Sequence, residues 1–376
     1  MGNIHTIEDL RLLQSMPLLA KVAMTKVRIH EWMVNSQLGI EKGIVSFSGG
    51  KDSTVLLHIA RQLYPDIPAV FSNTGLEFPE IQSFVMKQKN VDIIRPKMQF
   101  MDVVRRFGYP LVSKEVAETV RTSRRKEGKD SKRGRGKLLG QLLDPEGNKS
   151  EFNLDRWALL AQELPVVVSA NCCGVMKKRP LKEYEKKTDT YAMVATMAEE
   201  SRLRTQSWLA YGCNAFDAKR PLSKPMSFWT EQDVLQYIVA NDVQIASVYG
   251  DVVAVDEHDN EYDPRGTLIP IESCRLKCTG AKRTGCIFCG FGLHLEKGET
   301  RFQRLAKTHP RQYEYCIRGG QWVDNPDYDA TLPAYDGEWK NWNPKKIFVP
   351  SKEGLGMGKV FDMVNEIYGK DLMRYE

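Results

Sequence analysis

Long apolar segments are missing from this chain of 376 residues. No run approaches the roughly 20 consecutive apolar residues that a membrane helix needs, and the N-terminus has no signal-peptide layout. The sequence also contains no internal repeat. These absences exclude a membrane-spanning protein and a repeat architecture, and they predict a cytoplasmic protein.

A disulfide scaffold is disfavoured as well. The eight cysteines are clustered rather than dispersed, which in a chain of this length favours metal or redox chemistry. The net charge of +6 is mild but unevenly distributed. The length suffices for one large or two modest domains with ample core.

A phosphate-binding loop is predicted by residues 43–60, which read GIVSFSGGKDSTVLLHIA. The segment begins as an apolar strand, turns through a tight loop, and continues as an amphipathic helix from Thr54. Such a unit directs backbone N–H groups and a helix N-terminus at one spot, which favours an anion such as phosphate. The loop supplies glycines that let a ligand approach the backbone, a lysine charge and hydroxyl donors, in the order Ser48, Gly49, Gly50, Lys51, Asp52 and Ser53.

The spacing of this loop differs from that of the common Walker loop. A Walker loop needs a Gly five residues before the Gly-Lys pair and a Ser or Thr after the Lys, but Val45 and Asp52 occupy those positions. The phrase SGGKDS instead resembles the PP-loop of the adenine nucleotide alpha-hydrolase superfamily. That superfamily includes the N-type ATP pyrophosphatases, the small subunit of ATP sulfurylase and the phosphoadenosine phosphosulfate (PAPS) reductases. An ordinary Gly turn before a helix is the alternative.

A second motif follows where a second parallel strand is predicted to end. Residues 71–81 read FSNTGLEFPEI and resemble the D-T-G-x-x-x-P-E motif of the PAPS reductases, with Asn73 in place of the Asp. Because α/β proteins bind ligands at the carboxyl edge of the sheet, we assign Asn73, Thr74 and Gly75 to the nucleotide site. A Gly turn followed by a helix N-cap is the alternative.

Two phrases resemble further nucleotide-binding motifs of the family. Residues 172–187, CCGVMKKRPLKEYEKK, resemble the C-C-x-x-x-K-x-x-P-L signature of PAPS and adenylyl-sulfate (APS) reductases, which implies that Lys177 or Lys178 approaches the phosphates. Residues 197–204, MAEESRLR, resemble G-x-R-x-x-E-S-x-x-R without its Gly and first Arg. This resemblance implies that the nucleotide is bound and oriented by the matching residues Glu200, Ser201 and Arg204.

The order of the motifs predicts the fold class. A fifth phrase, PMSFWTEQDVLQYI at residues 225–238, resembles P-x-x-x-W-T-x-x-D-V-W-x-Y-I, with Thr230 as a helix N-cap and Trp229 as a packing residue. Predicted strands, including 91–94, 165–169 and 191–196, alternate with helices. We therefore expect an α/β fold with a doubly wound parallel sheet of the adenine nucleotide alpha-hydrolase type. The predicted division is N-terminal helices at 1–40, a nucleotide-binding domain at 41–245 with a basic insertion at 121–155, and a Cys-rich C-terminal extension at 246–376.

The run RTSRRKEGKDSKRGRGK at residues 121–137 interrupts this pattern. It contains nine basic and two acidic residues, which predicts a solvated and mobile insertion that cannot form a core. The alternative is a contact with the phosphate backbone of RNA or DNA. No aromatic residue lies within the run, so base stacking is not indicated there.

Six cysteines are candidate metal ligands, and two arrangements compete. In the first, one metal is held locally by the four cysteines of residues 274–289, as in zinc ribbons: Cys274, Cys278, Cys286 and Cys289. The resemblance to APS reductases implies the second, a four-iron four-sulfur cluster held by Cys172, Cys173, Cys286 and Cys289. We favour the iron–sulfur cluster over zinc. Cys213 and Cys316 are isolated and are expected to be buried thiols.

The intact SGGKDS favours ATP as the bound nucleotide over PAPS or APS. The predicted reaction is cleavage of ATP between the α and β phosphates, which adenylates an acceptor oxygen in sulfur metabolism or sulfur transfer and releases pyrophosphate. Lys51, Asp52 and Glu200 are the candidate catalytic residues, and Asp52 or Glu200 is expected to hold a Mg²⁺.

Two alternatives remain open from the sequence. Reduction of APS or PAPS to sulfite requires a thiolate nucleophile, yet no cysteine follows Cys316. The second alternative is an accessory protein that binds nucleic acid and catalyses no reaction, and the basic run motivates it. The sequence leaves the oligomeric state open, and a homo-oligomer is one of the assemblies that it allows.

Overall fold

The structure is a computed structural model that describes residues 3–35, 37–125, 128–267, 269–332 and 342–376. Its α-helices are α1 (Ile7–Gln14), α2 (Leu18–Val34), α3 (Lys51–Leu63), α4 (Pro79–Met86), α5 (Phe100–Phe107), α6 (Lys114–Ser123), α7 (Lys129–Leu138), α8 (Ala158–Gln162), α9 (Asn171–Cys173), α10 (Arg179–Thr188), α11 (Arg202–Tyr211), α12 (Glu231–Ala240), α13 (Arg301–Thr308), α14 (Pro310–Ile317) and α15 (Met357–Tyr368). Its strands are β1 (Gly43–Ser46), β2 (Ala69–Ser72), β3 (Val91–Ile94), β4 (Leu111–Val112), β5 (Tyr191–Met193), β6 (Asn214–Ala215), β7 (Leu222–Ser223), β8 (Val252–Val255), β9 (Glu261–Tyr262), β10 (Arg275–Cys278), β11 (Gly290–Phe291), β12 (Gln321–Asp324) and β13 (Lys346–Val349). Within these described ranges, no helix is both long and apolar enough to cross a bilayer.

The chain forms two compact units, each made of two segments. Unit 1 comprises residues 1–96 and 178–286, and unit 2 comprises residues 97–177 and 287–376. The predicted boundary between residues 245 and 246 does not coincide with this division. Residues 246–286 belong to unit 1 because strand β10 pairs with β8, and Leu276 packs in one cluster with Leu235 of α12.

A six-stranded sheet organises unit 1. Its strand order is β3-β2-β1-β5-β7-β6, and all neighbours are parallel except β6, which runs antiparallel to β7 at the edge. Strand β1 lies between β2 and β5, with Val45 opposite both Ala69 and Met193. Ile44 and Val45 are buried, as expected for a parallel strand covered on both faces. The predicted α/β class with a mostly parallel sheet is confirmed.

Helices α2, α3 and α12 contribute to the main core of unit 1. Trp229 is fully buried, and its indole N–H donates to Thr25 Oγ1 at 2.8 Å, so it is a packing residue as predicted. Thr230 caps α12 in a capping box with Asp233. The Asp233 carboxylate also accepts two hydrogen bonds from the buried ammonium of Lys21, at 2.6 and 2.8 Å, so its charge is paired inside the core.

Most of the basic run is helical in unit 2. The prediction that it cannot form a core is wrong for the residues that the structure describes, whereas its mobility stays a prediction. Helices α6 and α7 cover most of the run, residues 126–127 lie outside the described residues, and Ser123 and Ser131 are buried. The guanidinium of Arg124 donates to four backbone carbonyls at 2.5–2.9 Å, those of Leu160, Ala161, Leu164 and Val166.

The predicted strand at residues 165–169 is also wrong. Only a single bridge forms there, between Tyr109 and Val168. The remaining backbone groups are bound elsewhere, since the Pro165 carbonyl accepts from Phe348 N–H at 3.0 Å and the Val166 carbonyl accepts from Arg124. The segment therefore has no partner strand with which to build a ladder in the described ranges.

Candidate functional site

The phosphate loop, residues 48–53, joins the carboxyl end of β1 to α3. Gly49 adopts a left-handed conformation with φ of +72°, and a Cβ there would lie 2.7 Å from Val85 Cγ2 and 2.8 Å from Ile81 Cγ2. Any other residue would be strained and would collide with α4, so this glycine is required by the turn. Helix α3 begins at Lys51 rather than at the predicted Thr54, which places the lysine in the first helical turn.

The serine hydroxyls of the loop bind within the loop. Ser48 N–H donates to Ser53 Oγ at 3.2 Å, the two hydroxyl oxygens lie 3.0 Å apart, and Ser53 Oγ donates to the Gly50 carbonyl at 2.9 Å. Gly50 N–H contacts Ser48 Oγ at 3.3 Å. The predicted role of both serines as hydroxyl donors to a ligand remains a prediction, because here they hold the shape of the loop.

Lys51 is buried and tied on both its backbone and its side chain. Its N–H donates to the Tyr249 hydroxyl at 3.1 Å, and its ammonium lies 3.1 Å from Glu231 Oε1 and 3.2 Å from the Lys282 carbonyl. Burial lowers the pKa of Lys51, but the carboxylates of Asp52 and Glu231 raise it more, so the net pKa is above its usual value. The side chain is therefore a cation at the N-terminus of α3.

Asp52 contributes an acidic oxygen to the same spot. Its Oδ1 is buried without a hydrogen-bond partner among the described residues, at 3.8 Å from the Lys51 ammonium. Burial raises the pKa of Asp52, while the charges of Lys51, Arg283 and Arg204 lower it and that of Glu231 raises it. A carboxylate oxygen without a hydrogen bond has lone pairs that can accept a proton or a metal ion, whereas the surrounding cations favour its ionised form.

Glu200, Ser201 and Arg204 lie close together, and their role in nucleotide binding remains a prediction. Glu200 forms an ion pair with Arg204 and accepts the Met197 N–H at 3.0 Å. Ser201 caps α11 by accepting the Arg204 N–H at 3.4 Å. Burial lowers the pKa of Arg204, Arg283 lowers it further, and Asp52 raises it, which places these charges in one electrostatic neighbourhood. Glu200 thus contacts the neighbourhood through Arg204.

The remaining predicted nucleotide residues are placed less directly. Asn73 and Gly75 form a turn after β2, with Gly75 N–H donating to Asn73 Oδ1 at 3.1 Å. Thr74 is buried, and its hydroxyl donates to Glu77 Oε1 at 2.6 Å. Lys178 lies at the start of α10 with an exposed side chain, and no hydrogen bond or ion pair joins it to the phosphate loop in the described ranges.

Several residues of this site were not predicted from the sequence. Glu231 lies inside the phrase PMSFWTEQDVLQYI, which predicts a helix there. The phrase does not predict the contact of Glu231 with Lys51. Tyr249 and Thr284 share a hydrogen bond of 2.6 Å beside the loop, and no motif marked either of them. Arg283 was not assigned to the nucleotide site, and it lies close enough to Asp52 and Glu199 to lower the pKa of both.

The local four-cysteine metal site does not fit the structure. None of the eight cysteines forms a disulfide. Cys274 and Cys278 are separated by extended backbone along β10, which places their Cα atoms about 13 Å apart at 3.3 Å per residue. A zinc with bonds of about 2.3 Å to each sulfur cannot span that separation. Cys274 S–H instead contacts the Pro270 carbonyl at 3.6 Å, and burial raises the pKa of Cys278 to about 11.

The cluster ligands implied by the resemblance are distributed between the two units. Cys172, Cys173 and Cys289 belong to unit 2, and Cys286 is the last residue of unit 1. Burial raises the pKa of Cys289; the Phe291 N–H and the cations Arg301 and Lys114 lower it, and Cys173 raises it. The net effect raises the pKa of Cys289, which favours the neutral thiol. No group of three or more His, Cys, Asp or Glu residues positioned for a metal is present in the described part of the chain.

Comparison with known proteins identifies the family. The model of the phosphoadenosine phosphosulfate reductase domain matches residues 42–106 and 146–289. The chain belongs to this family. The matched segments of the PAPS reductase domain contain all of the motifs described above, and they leave out residues 107–145, which include the basic run at 121–137. The run is therefore an addition to the family domain.

Individual relatives are distant. An uncharacterized protein of Methanocaldococcus jannaschii is 25% identical over 308 residues, 80% of this chain and 52% of that protein, so the chain spans about half the length of this relative. Sulfate adenylyltransferase subunit 2 of Rhizobium tropici is 23% identical over 261 residues, 65% of this chain and 71% of that protein. A crystal structure of PAPS reductase from Candida auris in a phosphate complex aligns with 71% of this chain and all of that chain, at 14% identity and a TM-score of 0.34.

Proposed function

We propose that this PAPS reductase-family chain is a PP-loop enzyme that binds ATP, cleaves the bond between its α and β phosphates and adenylates an acceptor oxygen. One observation carries the proposal. At the carboxyl end of the central strand β1, the left-handed Gly49 turns the loop, and the cationic Lys51 begins the first turn of α3. Backbone N–H groups, the helix dipole and the lysine charge all attract an anion to that point. The negatively charged β and γ phosphates of ATP are such anions.

The cations near Asp52 support the same reaction. Arg204 and Arg283 both influence the Asp52 carboxyl, and Lys51 lies 3.8 Å from its Oδ1. Positive charges fixed at this edge of the sheet would stabilise the negative charge that develops as pyrophosphate leaves. In this proposal Lys51 binds the leaving phosphates, Arg204 orients the nucleotide, and Glu200 holds Arg204.

Asp52 is the residue that we assign to a Mg²⁺. Its buried Oδ1 finds no hydrogen-bond partner among the described residues, and carboxylate oxygens are the usual protein ligands of this ion. The ion would neutralise phosphate charge when bound. Glu200 is less suited to this role because its carboxylate is already bound by Arg204 and by Met197 N–H.

The reductase alternative is weakened by the position of Cys316. Its thiol is fully buried, contacts Met357 Sδ at 3.4 Å, and has its pKa raised well above the usual value by burial. A nucleophile for a sulfonyl sulfur must be an accessible thiolate. This last cysteine of the sequence does not meet either requirement, so we do not favour reduction of PAPS or APS.

We further propose that Cys172, Cys173, Cys286 and Cys289 hold a four-iron four-sulfur cluster. The proposal is supported by the resemblance of residues 172–187 to the signature of the APS reductases. We also expect a cytoplasmic protein, where such thiols stay reduced. We do not propose a nucleic-acid role, because Arg124 of the basic run donates to carbonyls inside unit 2.

Exchange of radioactive pyrophosphate into ATP tests the proposed reaction. Sulfate is the first acceptor to try, because relatives with 23% identity are sulfate adenylyltransferase subunits. We expect exchange that depends on Mg²⁺ and on an added acceptor, and that falls at least tenfold in Lys51→Met, since a charge-assisted hydrogen bond is worth about 1.5–3 kcal/mol. Lys42→Met is the control, because Lys42 pairs with Asp189 in the same unit. Equal exchange in the wild type and Lys51→Met would refute the proposal.

A further inference from the structure

Residues 248–251 and 279–284 form a hydrogen-bonded lid within unit 1. Three backbone bonds join its two parts, from Ala281 N–H to Val248 O, from Gly280 N–H to Tyr249 O and from Thr279 N–H to Asp251 O, at 2.8–3.0 Å. A Cβ at Gly280 would lie 2.4 Å from the Val248 carbonyl oxygen, so the two parts are in close contact. Hydrogen bonds and close packing thus hold the two parts of the lid together.

The lid contacts the phosphate loop through two hydrogen bonds, both of them to Lys51. The Tyr249 hydroxyl accepts the Lys51 N–H at 3.1 Å, and it shares a hydrogen bond of 2.6 Å with Thr284 Oγ1. The Lys282 carbonyl accepts from the Lys51 ammonium at 3.2 Å. A Cβ at Gly50 would lie 3.3 Å from the Tyr249 hydroxyl and 3.5 Å from Thr284 Oγ1, so the absence of a side chain at Gly50 accommodates the lid as well as a ligand.

The hydroxyl of Tyr249 therefore lies at the N-terminus of α3, where an anion would bind. Two open grooves of unit 1, of about 590 and 650 Å³, are lined by other residues, and neither is lined by residues 48–53. Within the phosphate loop, Gly49, Gly50, Lys51 and Ser53 are buried, whereas Ser48 is exposed. A phosphate oxygen that accepts the Lys51 N–H must take the position that the tyrosine hydroxyl now holds.

We propose that Tyr249 and Thr284 form a latch that competes with nucleotide phosphates for the N-terminus of α3. The inference rests on the proposed function, because it takes the pyrophosphate part of ATP as the competing ligand. When the latch opens, the hydrogen bond from the Lys51 N–H to the Tyr249 hydroxyl is lost. The hydrogen bond from the Lys51 ammonium to the Lys282 carbonyl is lost as well. Nucleotide binding is thereby coupled to the segment that precedes Cys286.

The test removes the latch hydroxyl from the full chain. Tyr249→Phe keeps the ring under the Lys51 ammonium, 5.7 Å away, and deletes the hydroxyl that accepts the Lys51 N–H and bonds Thr284 Oγ1. The substitution frees the Lys51 N–H from a hydrogen bond that a phosphate would otherwise have to replace. The dissociation constants of Mg²⁺-ATP and of pyrophosphate, measured by calorimetric titration, should therefore fall about two- to tenfold. Hydrogen exchange of the Lys51 amide, without nucleotide, should be faster than in the wild type. Thr284→Val should change both in the same direction by less.

Tyr237→Phe is the matched control, since Tyr237 is a buried tyrosine of unit 1 whose hydroxyl contacts His58 at 2.9 Å instead of the loop. The control should leave the affinity and the Lys51 exchange unchanged. Normal ATP binding by the wild type with equal or weaker binding by Tyr249→Phe would overturn the latch alone. Unchanged Lys51 exchange in Tyr249→Phe would do the same. Failure of every variant and of the wild type to bind ATP or pyrophosphate would overturn the proposed nucleotide site, and the latch with it.

Discussion

Replacing Arg124 by Met should destabilise unit 2 much more than any other charge removal in the basic run. The guanidinium donates to four carbonyls, two of them, Leu160 and Ala161, in the last turn of α8, where helical carbonyls have no partner of their own. The Cζ atom of Arg124 also lies 3.9 Å from the centre of the Trp342 ring. Burial lowers the pKa of Arg124 to about 9, so it stays charged at neutral pH.

The magnitude follows from the four acceptors. Each buried acceptor left without a donor costs about 1–3 kcal/mol. Water can reach part of the vacated space because the residue is not completely shielded, so we expect a loss of about 3–5 kcal/mol rather than the full sum, as for other buried charge partners.

Urea unfolding followed by circular dichroism measures this loss. Arg133→Met is the control, because Arg133 is an exposed residue of α7 in the same run; its effect should stay within about 0.5 kcal/mol. If the two variants lose equal stability, or if neither loses any, the structural role of Arg124 is refuted. Equal, salt-sensitive loss of RNA or DNA binding in both would instead restore the nucleic-acid interpretation.

Two further predictions concern the site and the cysteines. Burial raises the pKa of Asp52 above 3.8, so between 3.8 and the raised value the folded protein binds more protons than the unfolded chain, and stability falls as the pH rises through this window. Asp52→Asn should flatten that decline in urea midpoints measured from about pH 4 upward; an unchanged slope would show that Asp52 does not cause it. Iron per chain in anaerobically purified protein should be lost in Cys289→Ser and retained in Cys274→Ser, whereas loss in Cys274→Ser, or zinc in place of iron, would contradict the cluster assignment.

The sheet and the phosphate loop could be predicted because their causes are local. An apolar strand, a Gly-bearing turn and an amphipathic helix follow one another within residues 43–60, so adjacent residues are enough to predict the strand, the loop and the helix. The same holds for the Thr230 cap, which depends on a residue three positions away. Helix α3 begins three residues before the predicted Thr54, because Lys51 and Asp52 belong to its first turn and not to the loop.

The contacts that complete the site could not be predicted because they join residues far apart in the chain. Tyr249 reaches Lys51 across 198 positions, and nothing in its local sequence distinguishes it from a core tyrosine. The prediction that the basic run cannot form a core was wrong for a related reason. Composition describes average solvation, whereas Arg124 satisfies carbonyls 36 to 42 residues away, which only the folded chain brings within reach.

Titration of Mg²⁺-ATP into the wild type and Lys51→Met, at matched folding by circular dichroism, tests the central claim most directly. We predict saturable binding of one nucleotide by the wild type and at least a tenfold higher dissociation constant for Lys51→Met, because the variant lacks the charge at the first turn of α3. No saturable binding by the wild type, or equal affinity in the two proteins, would contradict the assignment of residues 48–53 as a phosphate site.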